Sequence, residues 1–276
     1  MRFTIVTIAY NQREFVEQAL RSVLDQDYPD IEYIVVDPGS TDGTREIIER
    51  YRDRLDRILY RADEGPAEGL NNGFAAATGE IFGFLNSDDL LLPGTIARVA
   101  KAFADGPRVD LVTGHMWIVD AQGRRVRRSF SDRFHPRAYA YGCCTICQQS
   151  TFFRAALFRQ AGGFNSANRI AWDSELFLDM MQYARSHLLL DEILSGFRIH
   201  RESITGSQRN REIRRRFFHD RFRRVMGRDW RRSDRLVRLF YFARKYALQP
   251  RSLRERLRHG SIVTGRPVPG ALDRDA

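Results

Sequence analysis

The sequence predicts an α/β protein in which a mostly parallel central sheet carries helices on both faces and is followed by a basic helical extension. Three observations predict it. Short β-branched apolar runs alternate with helix-period segments over residues 1–110, each run closes on polar or acidic residues, and arginines interleave with apolar residues beyond residue 210.

Phe3 to Ala9 (FTIVTIA) is a buried strand ending in Tyr10-Asn11-Gln12, after which Phe15, Ala19, Leu20, Val23 and Leu24 recur at helical spacing. Tyr33 to Val36 (YIVV) is a second strand, closed by Asp37 to Gly43, and Thr44 to Tyr51 forms a short helix. A third strand is expected at Arg57 to Tyr60, a helix at Ala67 to Ala77, and a fourth strand at Glu80 to Leu85, which runs into Asn86-Ser87-Asp88-Asp89. Alternation of this kind specifies parallel strands covered on both faces. After Pro93-Gly94 a helix runs from Thr95 to Ala104, and Leu111 to Val119 with Val126 to Phe130 form a hairpin around Ala121-Gln122-Gly123. Glu175 to Tyr183 reads as a helix capped by Asp173 or Ser174. Two basic amphipathic segments broken near Gly227 follow, and residues 261–276, rich in Gly, Pro and charge, read as a flexible tail.

Composition narrows the function classes. With 276 residues, 43% of them hydrophobic, the chain can bury a large core, so a disordered tail protein is excluded. No apolar run reaches the roughly 18 to 20 residues of a spanning helix, and the start lacks a signal peptide's apolar region; a cytoplasmic location is expected. Cys143, Cys144 and Cys147 supply too few zinc ligands and read as structural thiols. The formal net charge of +10 is almost all arginine, since Lys101 and Lys245 are the only lysines, and much of it lies between Arg201 and Arg258. That asymmetry points to an anionic partner.

In an open parallel sheet, ligands bind at the carboxyl ends of the strands. Three such ends here carry polar groups: Tyr10-Asn11, Asp37 with Gly39, and Asn86 to Asp89. Asp37 can accept from a base or a ribose hydroxyl, although D-x-G-S is also an ordinary turn. Adjacent carboxylates at Asp88-Asp89 repel unless a cation or donor is present, and hard divalent ions such as Mg²⁺ or Mn²⁺ suit them; a solvated acidic loop is the alternative.

The residues then resemble a known family, the inverting nucleotide-sugar glycosyltransferases of family 2 with the GT-A fold. The resemblance covers roughly Phe3 to Ser207 and rests on five pieces in order: TIAYNQREFVEQALRSVLDQDYPDIEYIVVDPGSTDGT, DEGPAEGLNNGFAAATGEIFGFLNSDD, QQSTFFRAALFRQAGGFN, WDSELFLDM and FRIHRES. It implies a GT-A catalytic domain over residues 1–207, with a nucleotide-sugar half (1–110) and an acceptor half (111–207), ahead of the extension at 208–260. It implies that Thr7, Ala9, Tyr10 and Asn11 line the nucleotide site, with Asp37 and Gly39 at the base or ribose. Asp63, Gly65 and Asn71 would border the donor phosphates and sugar. Asn86-Ser87-Asp88 occupies the family's D-x-D element, as in a subgroup with N-S-D-D, making Asp88 the metal ligand, with Asp89 and His200 as further candidates. Asp173 falls where the family places its catalytic base, and Trp172 before it would contact the acceptor sugar, a core tryptophan being the plainer reading.

Such a site supports an in-line, inverting displacement with Asp173 as general base and a divalent cation at the leaving diphosphate. The donor would be a UDP-, GDP- or dTDP-sugar and the acceptor a glycan or lipid-linked hydroxyl, in cell-envelope polysaccharide synthesis. The arginine-rich extension reads either as solvated helices on the catalytic domain or as a surface for anionic lipid at the inner face of the membrane. A sugar nucleotidylyltransferase is disfavoured because no glycine-rich loop follows the first strand, and a nucleic-acid-binding protein because it leaves the acidic strand ends unexplained.

Overall fold

The computed structural model describes residues 1–200 and 211–260, with side chains from residue 215 onward in the second stretch. The end of the expected catalytic unit, 201–207, and the expected tail, 261–276, lie outside the described residues.

The first half alternates as expected: β1 (Phe3–Ile8), α1 (Val16–Leu24), β2 (Ile31–Val36), α2 (Thr44–Arg50), β3 (Arg57–Leu59), α3 (Pro66–Ala75) and β4 (Ile81–Asn86). These four strands pair in parallel, in the order β3-β2-β1-β4. Period-two alternation along β1 sends Phe3 and Ile5 to one face and Val6 to the other. Under the first face lie α1 and α4 (Thr95–Asp105), whose Leu20, Val23, Ile96 and Phe103 are all buried. Under the second, Phe74 of α3 stacks 4.6 Å from Phe82, and Phe158 and Phe164 complete an aromatic cluster. Such ring pairs contribute about 0.5 to 1.5 kcal/mol each beyond area burial. The close approach of α3 to β1 needs Gly73, where a Cβ would stand 2.4 Å from Val6 Cγ1.

The second half makes the sheet mixed. Between α4 and the sheet's far edge come β6 (Leu111–Val119) and β7 (Arg125–Ser129), the hairpin read from the sequence, while β5 (Leu90–Leu91) is a two-residue piece after the acidic turn. Four elements missing from the sequence reading complete it: α5 (Pro136–Ala140), β8 (Thr151–Arg154), α6 (Ala155–Gln160) and the long β9 (His187–Arg198). The order continues β4-β8-β6-β9-β5, with β8 antiparallel to both neighbours and β9 parallel to β6. β9 was hard to read because its buried run, Leu194 to Gly196, is only three residues long and follows the charged, exposed pair Asp191-Glu192.

The helix expected at Glu175 begins earlier, as α7 (Trp172–Tyr183). Neither Asp173 nor Ser174 is its cap; Asn168 Oδ1 instead accepts from the backbone N–H groups of Ile170 and Ala171 just ahead of it. The basic extension is three helices rather than two: α8 (Arg211–Met226), α9 (Asp234–Leu248) and α10 (Pro250–His259). Phe222 of α8 is fully buried against Tyr141 and Trp230. Glu255 of α10 accepts from the Arg128 guanidinium and backbone N–H on β7.

Candidate active site

Register brings the three polar strand ends level. Ile8 pairs with Val36 on one side and with Asn86 on the other, so Ala9, Asp37 and Ser87 follow at the same height. The strand ends open onto a cavity of about 630 Å³. Of the expected residues, Ala9, Tyr10, Gly39, Asp63, Gly65, Asn86, Ser87, Asp88, Trp172 and His200 line it, joined by Gln12, Pro38 and Phe197.

Asp37 is fully buried behind the Pro38-Gly39 wall. Its Oδ1 accepts from the backbone N–H groups of Gly39 and Ser40, both at 2.7 Å, and from Arg45 Nε at 3.2 Å. Its Oδ2 is buried with no partner among the described residues. A buried acceptor left unmade costs about 1 to 3 kcal/mol. Arg45 also lies over the Tyr60 ring at 4.6 Å, a contact the sequence reading missed.

Two expected residues near this wall are not among those lining the cavity. Thr7 is fully buried and bonds Tyr33 Oη at 2.9 Å, pointing into the sheet rather than the cavity, because alternation along β1 turns it away from the carboxyl-end opening. Asn11 stands outside the cavity lining, with φ 51°, its N–H donating to Ser40 Oγ and its Oδ1 accepting from Thr41 N–H. It ties the two strand-end loops together.

The acidic turn separates its two carboxylates. Asp88 reaches the cavity, and its Oδ2 lies 3.0 Å from His200 Nε2. His200 is itself packed against the Phe15 ring at 4.6 Å. Asp89, expected as a further metal ligand, is fully buried: Gln149 Nε2 donates to it at 2.8 Å, Arg198 N–H at 2.9 Å and Asn86 Nδ2 at 3.3 Å. Burial and the adjacent Asp88 charge push the Asp89 carboxyl well above the usual carboxylate range. It anchors the turn instead of facing a ligand. Arg198, also fully buried and missed at the sequence level, donates from Nε to the Asp88 carbonyl at 2.7 Å, from Nη1 to Ala121 O and from Nη2 to Gln18 Oε1. The only sequence signal was its place two residues before His200.

On the opposite wall, Asp63 accepts from Gly65 N–H at 3.0 Å, and burial raises its carboxyl above the ordinary value. Gly65, at φ 149°, is the N-cap of α3. Asn71, expected at the donor, is engaged elsewhere: Nδ2 donates to Phe164 O at 2.8 Å and Oδ1 accepts from Phe164 N–H at 2.9 Å. It is a clamp between α3 and the loop before α7.

Trp172 is 6% exposed and packs on Phe84 and Phe164, with ring centroids 5.5 and 5.3 Å away, showing only an edge to the main cavity. Asp173, the next residue, lines a second cavity of about 220 Å³ with Tyr139, Cys144, Gln148 and, from α8, Arg221. Burial raises the Asp173 carboxyl above its ordinary value. Arg221 lies over the Tyr139 ring at 4.7 Å, and its Nε is buried without a partner.

Among the described residues, no group of three or more His, Cys, Asp or Glu side chains is placed to hold a metal ion, and no helix is long and apolar enough to cross a membrane. The three cysteines are free, and burial pushes the Cys147 thiol up to about 11.

The family model described as Glycosyl transferase family 2 matches residues 4–162. An uncharacterised glycosyltransferase of Nostoc sp. is 34% identical over 129 residues, 46% of this chain and 40% of that protein. The GalNAc(5)-diNAcBac-PP-undecaprenol beta-1,3-glucosyltransferase of Campylobacter jejuni is 31% identical over 109 residues, 38% and 35% of the two chains. The chain thus spans less than half the length of these relatives. Among solved structures, S. aureus TarS 1-349 in complex with UDP-GlcNAc superposes with a TM-score of 0.61 at 22% identity, covering 90% of this chain and 73% of that one. The mannosyltransferase PcManGT from Pyrobaculum calidifontis, in complex with GDP-Man and Mn2+, gives 0.62 at 20% identity, covering 98% and 77%. The GT-A fold implied by the sequence is the fold these structures share.

Proposed function

Since the chain belongs to glycosyl transferase family 2, we propose that it moves a sugar from a nucleoside-diphosphate sugar to a hydroxyl of a glycan or lipid-linked acceptor. The observation that carries this reading is the placement of consecutive residues on two neighbouring cavities: Trp172 edges the larger one, with Asp63 and Asp88 in its walls, and Asp173 lines the smaller. A donor and an acceptor need two compartments that meet where the bond changes hands. The larger is of ordinary ligand-pocket size.

In this reading the base or ribose meets Asp37, whose Oδ2 lacks a donor, and Tyr10 and Gly39 flank it. Asn86, Ser87 and Asp88 face the diphosphate. The acceptor hydroxyl attacks the anomeric carbon in line, Asp173 takes its proton, and the bond to the diphosphate oxygen breaks, which inverts the configuration. A carboxylate held partly out of water is a stronger base than a solvated one, and such a proton transfer contributes about 10² to 10⁴ in rate.

The donor set fits a hard divalent cation, which takes one or two carboxylates and fills its remaining positions with water and substrate phosphates. Asp88 would hold it, with His200 beside it and the buried, unpartnered Asn86 Oδ1 facing the same turn. The Mn2+ in the mannosyltransferase complex supports the same ion type. Bound there, the cation supplies Lewis-acid stabilisation of the leaving diphosphate. The relatives that name an undecaprenol-linked or poly(ribitol-phosphate) acceptor support a cell-envelope glycan as the acceptor class.

Thermal unfolding with UDP, GDP and dTDP, each with and without Mn²⁺ or Mg²⁺, tests the reading. A bound nucleotide at 100 times its dissociation constant adds about 2.7 kcal/mol of stability. A cation-dependent response to one base identifies the donor class, and silence across the panel overturns the assignment.

A further inference from the structure

The last two helices of the extension, α9 and α10, hide their acids and display hydrophobes. On α9, Leu236, Leu239 and Phe240 are 73, 65 and 63% exposed, and on α10 Leu257 is 77% exposed. At 100° per residue, Leu236, Leu239, Phe240, Ala243 and Ala247 fall on one stripe of α9 that contains no charged residue and faces solvent. The opposite side of the helix holds Tyr241, Phe242, Lys245 and Tyr246, which are half-buried. Lys245 bonds Thr145 and pairs with Asp132 there, which fixes the helix on the body. A surface helix of a globular domain normally has the reverse arrangement.

Charge completes the pattern. The acids of α9 and α10, Asp234 and Glu255, are 1% and 8% exposed and are paired with Arg228 and Arg128. The exposed charges flanking the stripe on α9 are Arg235 and Arg244, and α10 adds the exposed Arg254, Arg256 and Arg258. An apolar stripe between cationic flanks is the pattern of a helix lying in the plane of an anionic lipid surface, with Leu and Phe in the acyl boundary and guanidinium groups at the phosphates. A second copy of the same face would set arginine against arginine, so charge complementarity favours lipid phosphate as the occupant.

We propose that the α9 face, with the arginines of α10, is a docking surface for an anionic phospholipid bilayer. The same helix braces residue 145 from behind, and Thr145 lines the cavity that holds Asp173, so docking sets the acceptor side of the protein close to the bilayer. The surface rests on exposure and charge alone and does not depend on the donor chemistry.

Vesicle flotation of the full chain tests it, with phosphatidylcholine alone or mixed with phosphatidylglycerol. The protein floats with the mixed vesicles, at least tenfold more than with phosphatidylcholine, and added salt releases it. Leu236→Ser/Leu239→Ser/Phe240→Ser lowers that partitioning by tenfold or more, as does Arg235→Gln/Arg244→Gln/Arg254→Gln, with melting temperatures held near wild type because all six side chains are exposed. Equal flotation with neutral vesicles, or wild-type flotation by both variants, overturns the proposal. So does a chain that self-associates in solution, loses that association in the triple Ser variant and never floats. An unchanged nucleotide response in the variants separates a failure of the surface from a failure of the proposed transferase reading.

Discussion

His200 Nε2 and Asp88 Oδ2 stand 3.0 Å apart although 112 positions separate them in the chain. The pairing exists because β9 runs beside β6 and crosses the acidic turn, where the Arg198 backbone N–H meets Asp89 and its Nε meets the Asp88 carbonyl. One strand end therefore fixes both the backbone and the exposed carboxylate of the turn.

Asp88→Asn is expected to remove the cation-dependent part of nucleotide stabilisation while leaving a residual cation-independent shift, because the uncharged amide is a poor ligand for a hard ion. His200→Gln keeps a donor near Asp88 and should weaken the cation response less. Thermal shifts against Mn²⁺ concentration check both, and a full cation response in Asp88→Asn would remove Asp88 from the site.

Asp173→Asn should lower transfer by about 10² to 10⁴ and leave the nucleotide dissociation constant within a few-fold of wild type. Its stability should move the other way. A carboxyl whose folded pKa is raised contributes stability that is fully present below its unfolded value and is lost as pH rises through the folded value, so at neutral pH the charged form is a burden. The Asn variant should therefore melt at or above the wild-type temperature at pH 7.5. Calorimetry and a transfer assay on the same preparation check the pair of outcomes.

The acid limb of the pH–kcat/KM profile follows from the same shift. A base works ionised, so activity falls as pH drops through the raised Asp173 pKa, and the midpoint should lie above the roughly 3.9 of an ordinary aspartate. A limb at or below that value would place the base in a solvated position that the second cavity does not provide.

Asn71→Ala should act on stability rather than on the donor. Its amide satisfies both backbone groups of Phe164, and removing it leaves two buried-side partners unmade, a loss of about 1 to 3 kcal/mol. Denaturant unfolding should show the loss, with nucleotide affinity little changed. A large affinity loss without destabilisation would return Asn71 to the donor site.

Gly73→Ala tests how tightly α3 sits on β1. The added Cβ would meet Val6 Cγ1 at 2.4 Å, so the helix must move, and overpacking of this kind costs about 1 to 3 kcal/mol. Because α3 begins at Pro66 in the cavity wall, the nucleotide response should weaken along with the melting temperature.

Local sequence patterns suffice for the parallel half of the sheet, the hairpin and the level at which the polar groups cluster. Period-two and period-3.6 patterns are local, and the carboxyl ends of β1, β2 and β4 must meet once those strands pair in parallel. Asp37 and Asp88 were legible as chemistry-bearing residues for that reason, whereas Asp63 and Asp173 were expected only from the family resemblance. Which way neighbouring side chains point was settled by long-range packing. It turned Asp89 inward to Gln149 and Arg198 while Asp88 faced the cavity, and it committed Thr7, Asn11 and Asn71 to internal hydrogen bonds. It also turned the apolar stripe of α9 outward, against the usual rule that a helix hides its hydrophobes. For each of these hydrogen bonds the deciding partner is distant in sequence, and a local pattern carries no record of a partner that only folding brings near.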